Sequence, residues 1–244
     1  VKGSIYSGIK TGRNSVFVID DEKRVELIKK DAKSEQLIKK WLVGNDINNY
    51  STNWGGKYLI FVNNDTNISE YPAVKEYLTE NKASLQSRAA IKPERWFQLQ
   101  QPQTGLFKYF EGPKIIYQNV SRYYKFAIDE EGYYLDMNLF FIPSNDKYLL
   151  GALSSRIVQF IAHKITDTKP GGFLVLKTMY VEKFPILIAD ETSKKNVEGI
   201  VEKLISDSYS TEEKLTFKKQ LDGAFYNIAG LSDKEVQNIE KETR

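Results

Sequence analysis

The chain contains no cysteine, and His163 is its single histidine among 244 residues. The absence of cysteine excludes disulfides, thiolate metal sites and cysteine nucleophiles, and one histidine is too few for a histidine-rich metal centre. No run of about 18 apolar residues occurs, so we expect no membrane-spanning segment and a cytoplasmic location. The chain begins with Val1 rather than Met, from which we expect it to be part of a longer protein.

The chain also lacks a large excess of charge of either sign. The chain has 35 Lys and Arg residues against 32 Asp and Glu residues, a net charge of +3. A non-specific nucleic-acid binder usually carries far more positive charge, because neutralisation of phosphates supplies its affinity. The charge therefore permits a nucleic-acid partner without requiring one. The composition, 41% hydrophobic and 13% aromatic, is typical of a folded chain with a substantial core.

Motifs of several enzyme classes are missing as well. The sequence has no Walker A motif, no G-x-G-x-x-G, no G-x-S-x-G and no Pro-Pro pair of the kind found in amino-methyltransferases. The adjacent acids of the Asp129–Glu131 turn could pair for catalysis, but acids in a turn are usually solvated. We therefore expect no catalytic residue, no metal site and no complete enzyme within this chain.

What is present is a pattern of apolar residues that predicts an α+β fold. We expect a mixed, β-rich body over residues 1–188, with a long core helix, followed by a helical tail over residues 189–244. The predicted strands are Ile5–Ile9, Val16–Ile19, Lys57–Val62, Lys114–Val120, Tyr124–Asp129, Leu139–Ile142 and Phe173–Leu176. The predicted helices are Val25–Lys30, Glu35–Leu42, one that opens at Pro72, Asp146–Ile165, Lys194–Ser208, Thr211–Ile228 and Asp233–Glu242.

Two details of this pattern bear on function. A turn at Glu130–Gly132 is predicted to join the strand that ends at Asp129, through a short Tyr133–Tyr134 segment, to the strand that starts at Leu139. On the long helix, a polar flank lies beside the apolar stripe, with the members Ala152, Arg156, Gln159 and His163. Such a flank either points into a groove that holds a ligand or covers the core helix against water.

Two segments at the ends of predicted strands carry groups suited to nucleic acid. Gly8–Asn14 is a glycine-flanked, cationic turn, which can approach a sugar-phosphate backbone or a base edge, or can be an ordinary solvated hairpin. Ser121–Tyr124 combines a hydroxyl, a guanidinium and two aromatic rings, although tyrosines often serve the core. The candidate DNA-binding residues are Lys10, Thr11, Arg13, Asn14, Ser121, Arg122 and Tyr123.

The order of several segments resembles one family. These segments are GIKTGRNSVFVID (Gly8–Asp20), KYLIF (Lys57–Phe61), YPAVKEYL (Tyr71–Leu78), WFQLQ (Trp96–Gln100), KIIYQNVSRYYKFAIDEEGYYLDMNLFFI (Lys114–Ile142), DKYLLGALSSRIVQFI (Asp146–Ile161), FPI (Phe184–Ile186) and LDGAFYNIAGLSDKEVQNIE (Leu221–Glu240). Together they resemble the TaqI-like C-terminal specificity domain of adenine-N6 DNA methyltransferases and type IIG restriction-modification enzymes. The chain departs from that family at Ser154–Arg156, where Asn-Ser-Lys is more frequent.

The resemblance implies a non-catalytic target recognition domain for double-stranded DNA. The family's cofactor and catalytic motifs lie N-terminal to this region, so S-adenosylmethionine is expected in a methyltransferase domain of the parent protein and no cofactor in this segment. That domain, joined in cis, would receive the target adenine flipped out of the duplex. The alternative is a protein-interaction module that docks partner subunits through its helical tail.

Overall fold

The structure, a computed structural model, describes residues 5–89, 91–122 and 124–243 and has an α+β fold. The strands are β1 (Tyr6–Ser7), β2 (Val18–Ile19), β3 (Ile38–Leu42), β4 (Lys57–Ile60), β5 (Lys114–Gln118), β6 (Val120–Ser121), β7 (Phe126–Asp129), β8 (Tyr134–Leu135), β9 (Leu139–Ile142), β10 (Asp167–Lys169) and β11 (Phe173–Val175). The helices are α1 (Asn14–Phe17), α2 (Asp21–Lys30), α3 (Pro72–Glu80), α4 (Lys82–Gln86), α5 (Phe107–Glu111), α6 (Lys147–Ser154), α7 (Arg156–Ile165), α8 (Thr178–Val181), α9 (Glu191–Ile205), α10 (Thr211–Ile228) and α11 (Asp233–Glu242). The predicted α+β class and helical C-terminal tail are confirmed.

The strands form small sheets. One sheet has the order β1–β9–β5–β7 with antiparallel neighbours, and a second has the order β2–β4–β3–β8, in which β8 runs parallel to β3. A third has the order β10–β11–β6 and is antiparallel. Asn119 joins β5 to β6, and its backbone donates to Asn138 O at 2.9 Å and accepts from the Leu176 N–H at 2.7 Å. The third sheet therefore begins where the first one ends.

Two apolar clusters form the core. The first lies around the second sheet and one face of the first sheet, and its largest fully buried members include Phe17, Trp41 and Phe110. The second lies between the first sheet and helices α6, α9 and α10, where Leu221 and Phe225 of α10 are almost completely buried. The helical tail thus supplies part of a core that the body shares.

Several predicted elements are confirmed close to their predicted bounds. The structure has β4, β5, β7, β9 and β11 within the predicted strand segments, and α3 opens at Pro72. Helices α10 and α11 match the predicted bounds at both ends. Among the described residues, none of the helices has both the length and the apolar character that crossing a membrane requires.

The predicted strand–turn–strand at the start of the chain is wrong. The segment after β1 does not fold back as a hairpin, because β1 pairs with β9 while β2 pairs with β4 in another sheet. The strand predicted over Val16–Ile19 is shorter, since the carbonyl of Arg13 accepts the N–H groups of Val16 and Phe17 and winds Asn14–Phe17 into a helical turn. The Gly8–Asn14 segment is therefore a connection between two sheets.

The predicted helix over Glu35–Leu42 is also wrong. A short 3-10 helix covers Ala32–Leu37, and the chain is then extended as β3. Trp41 and Leu42, at the end of the predicted helix, are fully buried in a central strand between β4 and β8. A strand buried on both faces carries consecutive apolar residues, which imitate a helical stripe in the sequence.

The single long helix predicted over Asp146–Ile165 is interrupted at Ser155. This residue is extended, and its hydroxyl donates to Ala152 O at 2.8 Å and accepts the Val158 N–H at 3.4 Å, so that it ends α6 and caps α7. The Arg156 N–H, in the first turn of α7, donates to Asp222 of α10 at 2.9 Å. Because α7 starts anew after the break, its first turn is free to bond to Asp222, which connects α7 to α10 of the helical tail.

The predicted polar flank is divided by this break. Ala152 belongs to α6 and is buried, and the Arg156 guanidinium lies 3.4 Å from the Asp222 carboxylate. His163 is exposed on α7, with its ring edge-on to Tyr124 at 5.7 Å between centroids. Ala152 and Arg156 thus cover packed helices, which is the second of the two roles expected for this flank.

The turn after β7 differs from the prediction too. Asp129 is buried rather than solvated, because it pairs with the fully buried Lys114 and accepts the backbone N–H groups of Glu131, Gly132 and Tyr133 at 2.8–3.2 Å. As predicted, the chain reaches the strand that starts at Leu139 through the Tyr133–Tyr134 segment, but Tyr134 and Leu135 form β8, which pairs with β3 in the second sheet. Strands β7 and β9 instead flank β5 on opposite sides.

Candidate nucleic-acid interface

The Gly8–Asn14 loop leaves the first sheet in a tightly fixed position. The Gly8 N–H donates to Leu139 O at 2.8 Å, and the Ile9 N–H donates to Leu135 O at 2.7 Å. A Cβ atom at Gly8 would lie 2.2 Å from Asp136 O, so only glycine fits this approach of two backbones. Ile9 is fully buried. The start of the loop is thus part of the core.

A glutamine-rich segment holds the middle of the loop. Lys10 and Gln101 exchange both backbone hydrogen bonds, at 3.2 and 2.9 Å, and the Gln100 N–H donates to Thr11 O at 3.3 Å. The Gln103 side chain donates to Ser7 Oγ at 3.1 Å. This segment therefore pairs with the loop like an additional short strand.

Arg88 fixes the loop from inside the protein. It is 6% exposed, and its guanidinium donates to three carbonyl oxygens, those of Leu85 at 2.8 Å, Thr11 at 2.9 Å and Trp96 at 2.6 Å. The guanidinium also lies 5.0 Å from the centre of the Phe17 ring. Burial lowers the pKa of Arg88 to about 10, and the charge of Arg13 contributes in the same direction. Sequence reasoning missed this residue, since it is separated from Thr11 by 77 positions and lies in no motif.

Hydrogen bonds within the tip of the loop set the directions of its side chains. The buried Thr11 hydroxyl accepts the Arg13 N–H at 3.1 Å and donates to Asn14 Oδ1. The half-buried Arg13 guanidinium donates to Ser84 O and to Ser87 Oγ, both at 3.2 Å. These bonds leave the Asn14 amide nitrogen exposed to solvent at the start of α1.

Lys10 is the remaining cation of the loop. Its side chain is half-buried and forms no ion pair within residues 5–89, 91–122 and 124–243. The loop thus presents an ammonium, one edge of a guanidinium and an amide on a rigid backbone. Such a set of groups suits one phosphate and a base edge, which offers acceptors and donors in the major groove.

The second predicted segment lies in a different sheet. Ser121 is buried in β6 opposite Leu174 of β11, Arg122 follows it and is exposed, and Tyr123 lies outside the described residues. Within the part of the chain that the structure describes, no hydrogen bond or ion pair joins the Gly8–Asn14 loop to Arg122. The predicted site residues therefore form two separate groups.

Tyr124 belongs to the core side of this second segment. Its ring contacts His163 and lies 6.5 Å from the Phe184 ring, both edge-on. Burial raises the pKa of the Tyr124 phenol to about 12. This ring packs within the protein, as the alternative reading of the Ser121–Tyr124 segment expected.

A comparison with protein families gives one match over most of the chain. The model of the TaqI-like C-terminal specificity domain matches residues 39–186. This range contains the third sheet, strands β5, β7 and β9 of the first sheet, strands β4 and β8 and most of β3 of the second sheet, and helices α6 and α7.

Individual relatives agree with this match. The type II methyltransferase M.BanIII of Aneurinibacillus aneurinilyticus is 23% identical over 239 residues, with 88% of this chain and 40% of that protein covered. The type IIL restriction-modification enzyme MmeI, solved in complex with DNA, superposes with a TM-score of 0.69 at 17% identity, over 98% of this chain and 35% of that chain. The fold is therefore shared with part of MmeI. The chain spans well under half the length of either relative.

Proposed function

The chain belongs to the family of TaqI-like C-terminal specificity domains, and we propose that it reads the DNA sequence for a restriction-modification enzyme. In this role it grips duplex DNA and directs a methyltransferase domain to its target adenine, without catalysing a reaction itself. The observation that carries the proposal is the family match over residues 39–186, together with a loop whose polar groups are held rigidly at the surface. A domain that reads sequence needs few charges, which agrees with a net charge of +3.

Rigidity of the Gly8–Asn14 loop supports a role in sequence readout. A base contact discriminates only when its donor and acceptor are fixed relative to the groove, because a mobile amide pairs with several bases. Thr11 orients Asn14, and Arg88 fixes Thr11 through its carbonyl. The loop therefore has the preorganisation that a base contact requires.

Each exposed group has a distinct role in this proposal. Lys10 contacts a phosphate, and Asn14 contacts an adenine edge through its amide. Arg13 contacts a phosphate or a guanine with the edge that Ser84 and Ser87 leave free. Arg122, which follows strand β6 of the third sheet, contacts either a phosphate or a guanine.

Alanine variants of the full-length protein test these roles. Lys10→Ala should weaken binding to all duplexes alike. It should also reduce the salt slope, which is the slope of the logarithm of affinity against the logarithm of salt concentration, by about one. Asn14→Ala should cost roughly 1–3 kcal/mol and relax specificity at one position. Arg13→Ala and Arg122→Ala are read in the same way. A uniform loss of affinity with a lower salt slope indicates a phosphate contact, and relaxed specificity at one position indicates a base contact. If all four variants fold and keep the original affinity, salt slope and site preference, the proposed surface is wrong.

The proposal extends to the parent protein. An N-terminal methyltransferase domain in cis binds S-adenosylmethionine and modifies the flipped adenine. Cleavage assays of unmethylated DNA with the full-length protein test whether the same parent also carries a fused endonuclease. Methylation-site sequencing of DNA treated with the full-length protein should show N6-methyladenine within one short sequence. Calorimetry of this chain alone should detect no binding of S-adenosylmethionine, and micromolar affinity would contradict the assignment of the cofactor to the missing domain.

A further inference from the structure

The hairpin of β10 and β11 projects an exposed aromatic ring beside an unpaired cation. All three residues of β10 are exposed, and Phe173 at the start of β11 is 40% exposed. The turn between the strands has Gly171 at φ +84° and Gly172 at φ +76°, a backbone that favours glycine. Pro170 and two consecutive left-handed residues make this tip narrow.

Strand pairing aligns three exposed side chains across the third sheet. Lys169 is paired with Phe173 across the hairpin, so both side chains lie on the same face. On the other side, Ser121 of β6 is paired with Leu174, and the exposed Arg122 follows Ser121 where β6 ends, toward the Phe173 end of β11. The result is a row of cation, aromatic ring and cation, which we call the Arg122–Phe173–Lys169 row.

The surroundings of this row are more basic than the rest of the chain. Segments 120–125 and 166–183 contain five basic and two acidic residues, an excess of three that equals the net charge of the entire chain. One of the acids, Asp167, is bonded to Lys177 at 2.7 Å. Lys169 and Arg122 have no ion pair within the described residues. The row is thus an uncompensated positive site on a chain that is otherwise nearly neutral.

We propose that the Arg122–Phe173–Lys169 row is a second contact with duplex DNA, separate from the Gly8–Asn14 loop, in which the two cations bind phosphates and Phe173 packs on a deoxyribose. This inference rests on the proposed function, because it assumes a duplex as the partner. An exposed ring between two free cations complements the backbone of one strand of a duplex, in which apolar sugar faces alternate with phosphates. A partner surface of neutral protein would leave both cations without a counter-charge.

The test uses duplex binding by the full-length protein over a range of salt concentrations. Phe173→Ala should weaken binding about tenfold without changing the salt slope, and Phe173→Trp should restore it, because a ring is retained. Lys169→Ala should lower the salt slope by about one. Matched controls on α10 are Leu215→Ala, for an apolar side chain that is 61% exposed, and Lys219→Ala, for an exposed lysine. Both controls should bind as the unchanged protein does.

The outcomes separate this inference from the proposed function. If the unchanged protein selects a duplex but Phe173→Ala and Lys169→Ala bind it with unchanged affinity and salt slope, this inference is overturned and the proposed function stands. If the unchanged protein binds no duplex from a random pool, both are overturned. Unfolding midpoints of the variants equal to that of the unchanged protein ensure that a loss of binding is not a loss of fold.

Discussion

At the scale of single residues, Arg88 and Asp222 organise the molecule although neither belongs to a recognisable motif. Arg88 donates to the carbonyls of Leu85, Trp96 and the distant Thr11, and Asp222 of α10 receives a backbone N–H from α7. Sequence reasoning singled out the cations of the Gly8–Asn14 loop because charge beside glycine is visible in the sequence. It missed Arg88 because its partners are backbone carbonyls, and Asp222 because two of its contacts, the backbone and side chain of Arg156, lie 66 positions away in the sequence.

Replacement of Arg88 tests whether the loop depends on it. Arg88→Ala leaves three carbonyls without their donor, so we expect a loss of about 3–5 kcal/mol in the free energy of unfolding. Arg88→Lys should be intermediate, because one ammonium does not reach all three acceptors. Urea unfolding measures both, with Arg95→Ala, an exposed neighbour, as the matched control. Equal stability of Arg88→Ala and Arg95→Ala would show that Arg88 does not hold the loop.

Asp222 offers a second test at this scale. Its side chain is 5% exposed and lies 2.6 Å from Lys218 Nζ and 3.4 Å from Arg156 Nε. Asp222→Ala should cost about 3 kcal/mol in the free energy of unfolding, because it leaves two cations uncompensated. Lys218→Met in the same background should recover part of the loss, since burial already lowers the pKa of Lys218. If Lys218→Met does not recover any of the free energy of unfolding lost in Asp222→Ala, the loss comes from packing and not from an uncompensated charge.

At the scale of elements, the sequence predicted most strands and helices but not which strands pair with one another. The predicted bounds of α10 and α11 were accurate because serines and glutamates mark their first turns. The break at Ser155 was missed, since leucines and isoleucines continue the apolar stripe across it. Strand pairing depends on contacts between distant segments, so the separation of β1 from β2 had no local signal.

The caps of the tail helices predict a pH dependence. Ser210 donates its N–H and hydroxyl to Glu213, and Ser232 does the same to Glu235, which holds the pKa of both carboxyls below 4.5, their ordinary value. A pKa that is lower in the folded state contributes stability above the unfolded value, and this contribution is lost as the pH falls through the folded pKa.

Substitution of both glutamates isolates this effect. The Glu213→Gln, Glu235→Gln protein should be slightly less stable at neutral pH, because glutamine caps without the charge. Its free energy of unfolding should converge with that of the unchanged protein as the pH falls to about 3. Urea unfolding at several pH values measures the difference. A constant difference across the range would contradict the role of the two carboxylates.

At the scale of the whole molecule, the helical tail and the body share one apolar cluster. Val197, Val201, Leu221 and Phe225 of the tail pack in the same cluster as Leu153 of α6. An independent docking module would not need to bury these residues against the body. The arrangement of the tail makes it a structural part of the fold.

Truncation distinguishes these two roles of the tail. Removal of residues 190–243 takes away several buried side chains, each of which contributes about 1.5–3 kcal/mol, against a total stability of about 5–15 kcal/mol. We expect the shortened chain to lose cooperative unfolding. Removal of α11 alone, whose one buried apolar residue is Ile239, is the control and should be mild. A body that unfolds cooperatively without the tail would favour the separate interaction module.

In the proposed function, this chain determines which DNA sequence its parent protein recognises. The most direct measurement is selection from a random duplex library by the full-length protein, followed by sequencing, with Asn14→Ala and the control Lys219→Ala in parallel. We expect one short sequence to be enriched. Asn14→Ala should relax the base preference at one position of this sequence, and Lys219→Ala should leave it unchanged. A library that shows no enrichment with the unchanged, folded protein would contradict it.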